Sequence, residues 1–169
     1  MNILSGRFKG YKIDTSLNTA YRPTKSSVRK SLFDKLKSLQ NKTVLDLFAG
    51  TGVIGFEALS RGADSISFVE NNRNSIKLLK VNIKKFSEIN CKIYNMDCFD
   101  FLKKTYSFDL IFADPPYGLY DLKLLTNLVL NRLNFNGTFI LECDNSVEPF
   151  FNAIVSNYGK TRLLTWNKK

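Results

Sequence analysis

Apolar and polar positions follow two rhythms along this chain, and the changes between them mark its elements. Through residue 23 no period is established, and Gly6 and Gly10 are turn points, so the stretch reads as an arm or short hairpin. Val28, Leu32, Phe33, Leu36 and Leu39 then recur at helical spacing, with Thr24 or Ser26 placed to cap the helix. From Thr43 onward, short apolar runs alternate with helical stretches. Residues 44–48, 65–69, 92–95, 108–113 and 138–142 predict strands, and 52–61, 72–86 and 122–133 predict helices. Strands separated by helices imply parallel pairing, hence a doubly wound α/β sheet with helices on both faces. Runs 153–157 and 162–166, joined by Tyr158-Gly159-Lys160, predict a closing hairpin that puts one antiparallel strand into that sheet. The expected division is a basic arm and helix over 1–42 and a core over 43–169, in one compact domain.

With 169 residues, 44% of them hydrophobic, the chain can bury one sizeable core. No apolar run reaches membrane-spanning length, and MNILSGRFKG lacks the apolar stretch of a secretion signal, so a cytoplasmic protein without a membrane partner is expected. Cys91, Cys98 and Cys143 are odd in number and show no CxxC spacing, which predicts reduced thiols and neither a metal nor a disulfide framework. Histidine is absent. That removes the usual general base, the usual zinc ligand and every Ser-His or Cys-His nucleophile pair.

The net charge of +10 is concentrated. Before Thr43 stand Arg7, Lys9, Lys12, Arg22, Lys25, Arg29, Lys30, Lys35, Lys37 and Lys42 against only Asp14 and Asp34, with Phe8, Tyr11 and Tyr21 interleaved. Cations neutralise phosphates and rings stack on bases, so this segment predicts a nucleic-acid surface. A solvated lysine-rich surface is the alternative.

Asp114-Pro115-Pro116-Tyr117 carries the most specific chemistry. It follows the apolar run FDLIFA, as a rigid turn follows a buried strand. Proline fixes φ and removes an N–H, so nearby carbonyls are left to face a cleft. An acid, an outward carbonyl and a ring can hold a planar group bearing –NH2, either a base or an amide. A plain strand-end turn is the competing reading. Upstream, Asp46 lies inside the end of the first strand, and Gly50, Gly52 and Gly55 open a helix in a strand–loop–helix context. Glu70 ends the next strand, where an acid can accept both hydroxyls of a ribose; Asp97 ends the third, where one can take an adenine amino group between Cys98 and Phe99. All four acids are expected at the carboxyl edge of the sheet. A pyrophosphate would not tolerate Asp46 beside its glycine loop, whereas the cationic S-adenosylmethionine is favoured there.

LDLFAGTGVIGFEALSRGA, FVENN, DPPY, the opening LSGRFKGYKI and YRPTKSSVRKSLFDKL together resemble the RsmD family across essentially the whole chain. These enzymes methylate a guanine amino group in small-subunit (16S) ribosomal RNA. The resemblance implies a Rossmann-like class I S-adenosylmethionine-dependent methyltransferase with a seven-stranded, mostly parallel sheet. It assigns Asp46, Phe48, Gly50, Gly52, Glu70, Asn71, Asp97 and Cys98 to the cofactor, and Asp114, Pro115, Pro116 and Tyr117 to the target amino group. Arg22, Thr24 and Arg29 of the N-terminal motif would join Arg7, Lys9, Lys12 and Lys25 near the cleft or the RNA. The partner implied is ribosomal RNA or a small-subunit assembly particle, met by a monomer without metal. Two departures from the family pattern are Lys30, where an acid commonly follows the VR pair, and a short region between Cys143 and Tyr158. A DNA adenine or other amino-methyltransferase, and a noncatalytic RNA-binding assembly factor, are the rival readings.

Overall fold

Every apolar run found by its rhythm becomes a strand in a single sheet. The computed structural model describes residues 1–15, 25–36, 38–86 and 88–169. Along the chain lie α1 (Ser26–Lys35), β1 (Thr43–Asp46), α2 (Val53–Ser60), β2 (Ser65–Glu70), α3 (Arg73–Ile83), β3 (Cys91–Asn95), α4 (Cys98–Leu102), β4 (Phe108–Ala113), α5 (Leu122–Leu130), β5 (Leu133–Asp144), β6 (Ile154–Tyr158) and β7 (Thr161–Asn167). The strand order is β3-β2-β1-β4-β5-β7-β6. Pairs from β3 through β5 are parallel, and β7 runs antiparallel to both its neighbours. The seven strands and the single reversed one match expectation. The chain walks outward from β1 to β3, then crosses to the other side of β1, so strand order reverses between β1 and β4. That reversal opens a crevice at the carboxyl ends of those two strands.

Alternation divides the core into two layers. Val44, Leu110, Phe112 and Ile140 pack with α1, α2 and α3, while Leu45, Ile111, Phe139 and Leu141 pack with α4 and α5. Two elements escaped the sequence pattern. α4 has only five residues, too few to display a helical period. β5 begins at Leu133 rather than 138, its first half masked by Asn134, Asn136 and Gly137. α1 starts after Lys25 with no side-chain cap, so Ser26 does not cap it; Thr24, Arg22 and Tyr21 lie outside the described residues.

The N-terminal segment is a hairpin, as its glycines suggest, but it is part of the core. Asn2 bridges Lys12, and the Ile3 and Tyr11 backbones pair at 3.0 Å. Ile3, Phe8 and Ile13 are buried, and Phe8 packs edge-on against Phe86. Phe8 is therefore unavailable to a base, contrary to the expectation of an aromatic RNA surface. The hairpin docks on the far end of α2: Leu4 and Ser5 N–H groups donate to Glu57, and those of Arg7 and Phe8 to Ser60. Gly6, at φ +84°, lies so close that a Cβ would sit 1.7 Å from the Ser60 carbonyl oxygen. This cover explains why α2 is buried on every side, Glu57 and Ser60 included.

Candidate active site

β1 and β2 end in the acids Asp46 and Glu70, Asp114 directly follows β4, and the crevice gathers them. Asp46 is buried and accepts the Gly55 N–H at 3.3 Å. Glu70 accepts the Gly50 N–H at 2.8 Å and the Asn72 N–H at 2.7 Å, tying the glycine loop to the end of β2. Each of its oxygens keeps a second lone pair for an incoming hydroxyl. Gly52 adopts φ +80°, and a Cβ there would meet Leu79 at 2.4 Å and Phe56 at 2.7 Å. The loop is thus pressed onto Leu79 of α3 and Phe56 of α2.

Beside it lies a slot lined by Phe48, Val69, Glu70, Asn71, Met96, Cys98 and Tyr120. Four of the expected cofactor residues, Phe48, Glu70, Asn71 and Cys98, therefore share one wall. Asp97 stands at its edge, where its Oδ1 caps α4 through the Phe99 N–H at 2.7 Å. Burial, with the Asp97 charge second, pushes the Cys98 thiol up to about 12, so it contributes an apolar wall. Tyr120 was not foreseen. It meets the Phe48 ring edge-on at 5.0 Å and the Phe99 ring at 5.9 Å, forming an aromatic side to the slot. Among the described residues, one acid, Glu70, and neutral groups line this slot and no Lys or Arg does, a donor set suited to a neutral or cationic adenosine derivative and unsuited to a pyrophosphate.

The DPPY turn leaves β4 on the other side of the crevice. Pro115 is buried, whereas Tyr117 is 56% exposed. Burial first, then the charges of Glu142 and Asp46, hold the Asp114 carboxyl well above the ordinary range. Glu142, on β5, was not among the expected site residues.

Asp46 gives a testable pH dependence. Burial pushes its carboxyl up to about 7, the Gly55 N–H opposes this, and the Glu70 charge adds to it. The unfolded chain releases this proton near 3.8, so the native state binds more protons between those values. Stability from this group is therefore fully present below about pH 4 and falls as pH rises to about 7. Asp46→Asn is expected to raise the melting temperature of the ligand-free protein at pH 8 by several degrees and to remove that part of the slope, as read by thermal melts from about pH 4 to 8.

Among the described residues, the basic residues expected to meet RNA do not form one patch. Arg7 and Lys9 are exposed on the hairpin at the end of α2, whose eight residues put them about 12 Å or more from the glycine loop. Arg7 also pairs with Glu88 at 3.5 Å. Lys12 is exposed on the same hairpin. Lys25 is exposed at the start of α1. Ser31 meets the Tyr158 hydroxyl and Lys35 meets Ser156, so α1 runs opposite to β6 and its start points toward the carboxyl edge. Arg29 is the correction. It is 1% exposed, donates to the Asn2 carbonyl at 2.7 Å and stands 3.8 Å from the buried Glu57, which makes it a strut between α1, α2 and the hairpin. Lys30 is exposed and paired with Asp34 at 2.6 Å.

A family model described as conserved hypothetical protein 95 matches residues 1–164. The chain belongs to this family, the RsmD family. Among its relatives, the ribosomal RNA small subunit methyltransferase D of Buchnera aphidicola subsp. Acyrthosiphon pisum is 39% identical over 133 residues, covering 77% of this chain and 70% of that protein. The enzyme of the same name from Escherichia coli K12 is 28% identical over 168 residues, 96% of this chain and 83% of that one. Among solved structures, a hypothetical protein of Thermus thermophilus superposes with a TM-score of 0.87 at 26% identity over 98% of each chain. Among the described residues of this RsmD-family chain, no helix is long and apolar enough to cross a membrane, and no three His, Cys, Asp or Glu side chains are grouped to hold a metal ion.

Proposed function

We propose that this protein is a small-subunit ribosomal RNA methyltransferase that transfers a methyl group from S-adenosylmethionine to the 2-amino group of a guanine. The observation that carries this reading is the placement of Asp114-Pro115-Pro116-Tyr117 across one crevice from the Asp46–Gly50–Glu70 loop. Glu70 would hold the ribose, Asp97 the adenine amino group, and Asp46 and the glycine loop the methionyl end. When bound, S-adenosylmethionine supplies an electrophilic methyl on a sulfonium. Its positive charge suits a crevice crowded with carboxylates.

The chain's own residues then have a defined task. A guanine amino nitrogen is a poor nucleophile because its lone pair is delocalised into the ring. Hydrogen bonds from that amino group to the Asp114 carboxylate and the Pro115 carbonyl turn the lone pair toward the methyl carbon, and Tyr117 stacks on the base to fix its plane. As the N–C bond forms and the S–C bond breaks, the nitrogen becomes acidic. Its proton passes to Asp114, whose raised proton affinity fits that role. No histidine is required. The base must be unstacked to enter.

The test is tritiated-methyl transfer into small-subunit RNA, free and in assembly particles, with the product mapped by mass spectrometry. A single N2-methylguanine is expected. Methyl incorporation only into DNA, or into adenine or cytosine, overturns the reading, and RNA binding without transfer favours an assembly factor.

A further inference from the structure

The parallel register sets Ala113 of β4 against Leu141 of β5, so Asp114 and Glu142 occupy the next rung together. Alternation puts both on the face of Leu110, Phe112 and Ile140, the face that Asp46 shares on β1. Neighbouring strands lie about 4.8 Å apart, so the two carboxyl groups stand side by side at the floor of the DPPY turn. Glu142 is 5% exposed, and its charge acts on both Asp114 and Tyr117. The β7 residue paired with Glu142 is the buried, apolar Leu163.

What borders the target amino group differs among its possible bearers. In guanine the 2-amino group is flanked by N1–H, a second donor. In adenine and cytosine the amino group is flanked by a bare ring nitrogen, and in a side-chain amide by a carbonyl; these are acceptors. An ionised carboxylate accepts and cannot donate. We propose that Glu142 is the specificity-determining residue of the target pocket, accepting the guanine N1–H while Asp114 accepts a hydrogen of the 2-amino group. An adenine, cytosine or amide presented there turns a lone pair toward Glu142 and is repelled, so the pocket selects by rejection as well as by attraction. This inference rests on the guanine reading above and supplies its physical source.

The experiment uses RNA carrying the mapped nucleotide, built with either guanine or 2-aminopurine at that position. 2-Aminopurine keeps the 2-amino group and has a bare N1. The wild-type protein is expected to favour guanine by roughly 100-fold or more in kcat/KM. Glu142→Gln, whose amide can donate to a bare N1, is expected to lose about 10- to 100-fold on guanine and under about threefold on 2-aminopurine, collapsing the ratio at least tenfold. Its S-adenosylmethionine affinity should stay within a few-fold. A ratio unchanged by the variant, with both substrates slowed alike, assigns Glu142 a structural role and overturns the proposal. So does a wild-type ratio near one, which needs no variant to fold. Neither result touches the guanine reading, which fails only if the mapped product is not a guanine.

Discussion

Asp114→Ala is expected to reduce methyl transfer by roughly 1000-fold or more while leaving S-adenosylmethionine affinity within a few-fold. In the proposed mechanism the side chain accepts the target amino group and takes its proton, so truncation would remove orientation and acid–base function together. Asp114→Asn is expected to fall between the two, at about a 10- to 100-fold loss. Its amide oxygen still accepts one N–H, but it carries no charge and cannot take the proton. Stability should move the opposite way. Burial and the neighbouring carboxylates Glu142 and Asp46 raise the Asp114 carboxyl, so the folded state is penalised for ionising it as pH rises above the ordinary carboxylate range. Removing the acid relieves that penalty, and both variants are expected to melt several degrees higher than wild type at about pH 8. Single-turnover kinetics, cofactor titration and thermal melts on one preparation give the three readouts. Undiminished methylation by Asp114→Ala would sink the catalytic assignment, and a lowered melting temperature would contradict the electrostatic account.

Glu57→Ala is expected to destabilise the protein by about 3–5 kcal/mol, the largest stability effect of a single truncation in the hairpin contact. Glu57 is 0% exposed. Its two oxygens accept the Leu4 N–H at 2.8 Å, the Ser5 N–H at 3.2 Å and the Arg61 Nε–H at 2.7 Å, and stand 3.8 Å from Arg29 Nε. Without it, Arg29 remains a buried cation with no opposite charge, and two backbone donors lose their acceptor. A drop of roughly 6–20 °C in melting temperature corresponds to that range in a chain of this size. Amide exchange should speed first in residues 3–13, which Glu57 holds, and later in the sheet. Replacing both partners, as Arg29→Met with Glu57→Leu, is expected to cost less than the sum of the single changes, because no lone charge is left inside. Uniform exchange across the fold in Glu57→Ala would show that the hairpin is not held as a unit.

All seven strands were located from the chain, β5 only from residue 138, because the central strands β1, β4 and the second half of β5 are apolar runs buried on both faces, a pattern that survives without knowledge of its neighbours. The acids Asp46, Glu70 and Asp114 were legible for a related reason: each ends such a run, and parallel strands bring their ends to one edge. The misses have a different origin. Glu57 sits inside an apolar helix with nothing local to mark it, and Glu142 ends the predicted run 138–142, but the register that sets it beside Asp114 depends on pairing between distant segments. Arg29 and Phe8 were assigned to an RNA surface on charge and aromatic content. Their burial depends on partners 27 to 78 positions away, Asn2, Glu57 and Phe86.

By itself, then, the sequence determined the α/β alternation, the glycine loop, the DPPY turn and the identity of the acids at the strand ends, since each follows from local periodicity and backbone chemistry. Tertiary structure alone decided that the basic N-terminal segment is partly a buried strut, and that Tyr120 walls the slot beside the glycine loop. It also decided that Glu142 shares a rung with Asp114. Those facts are set by strand order and register, which are properties of pairing between distant segments and are not written in any one of them.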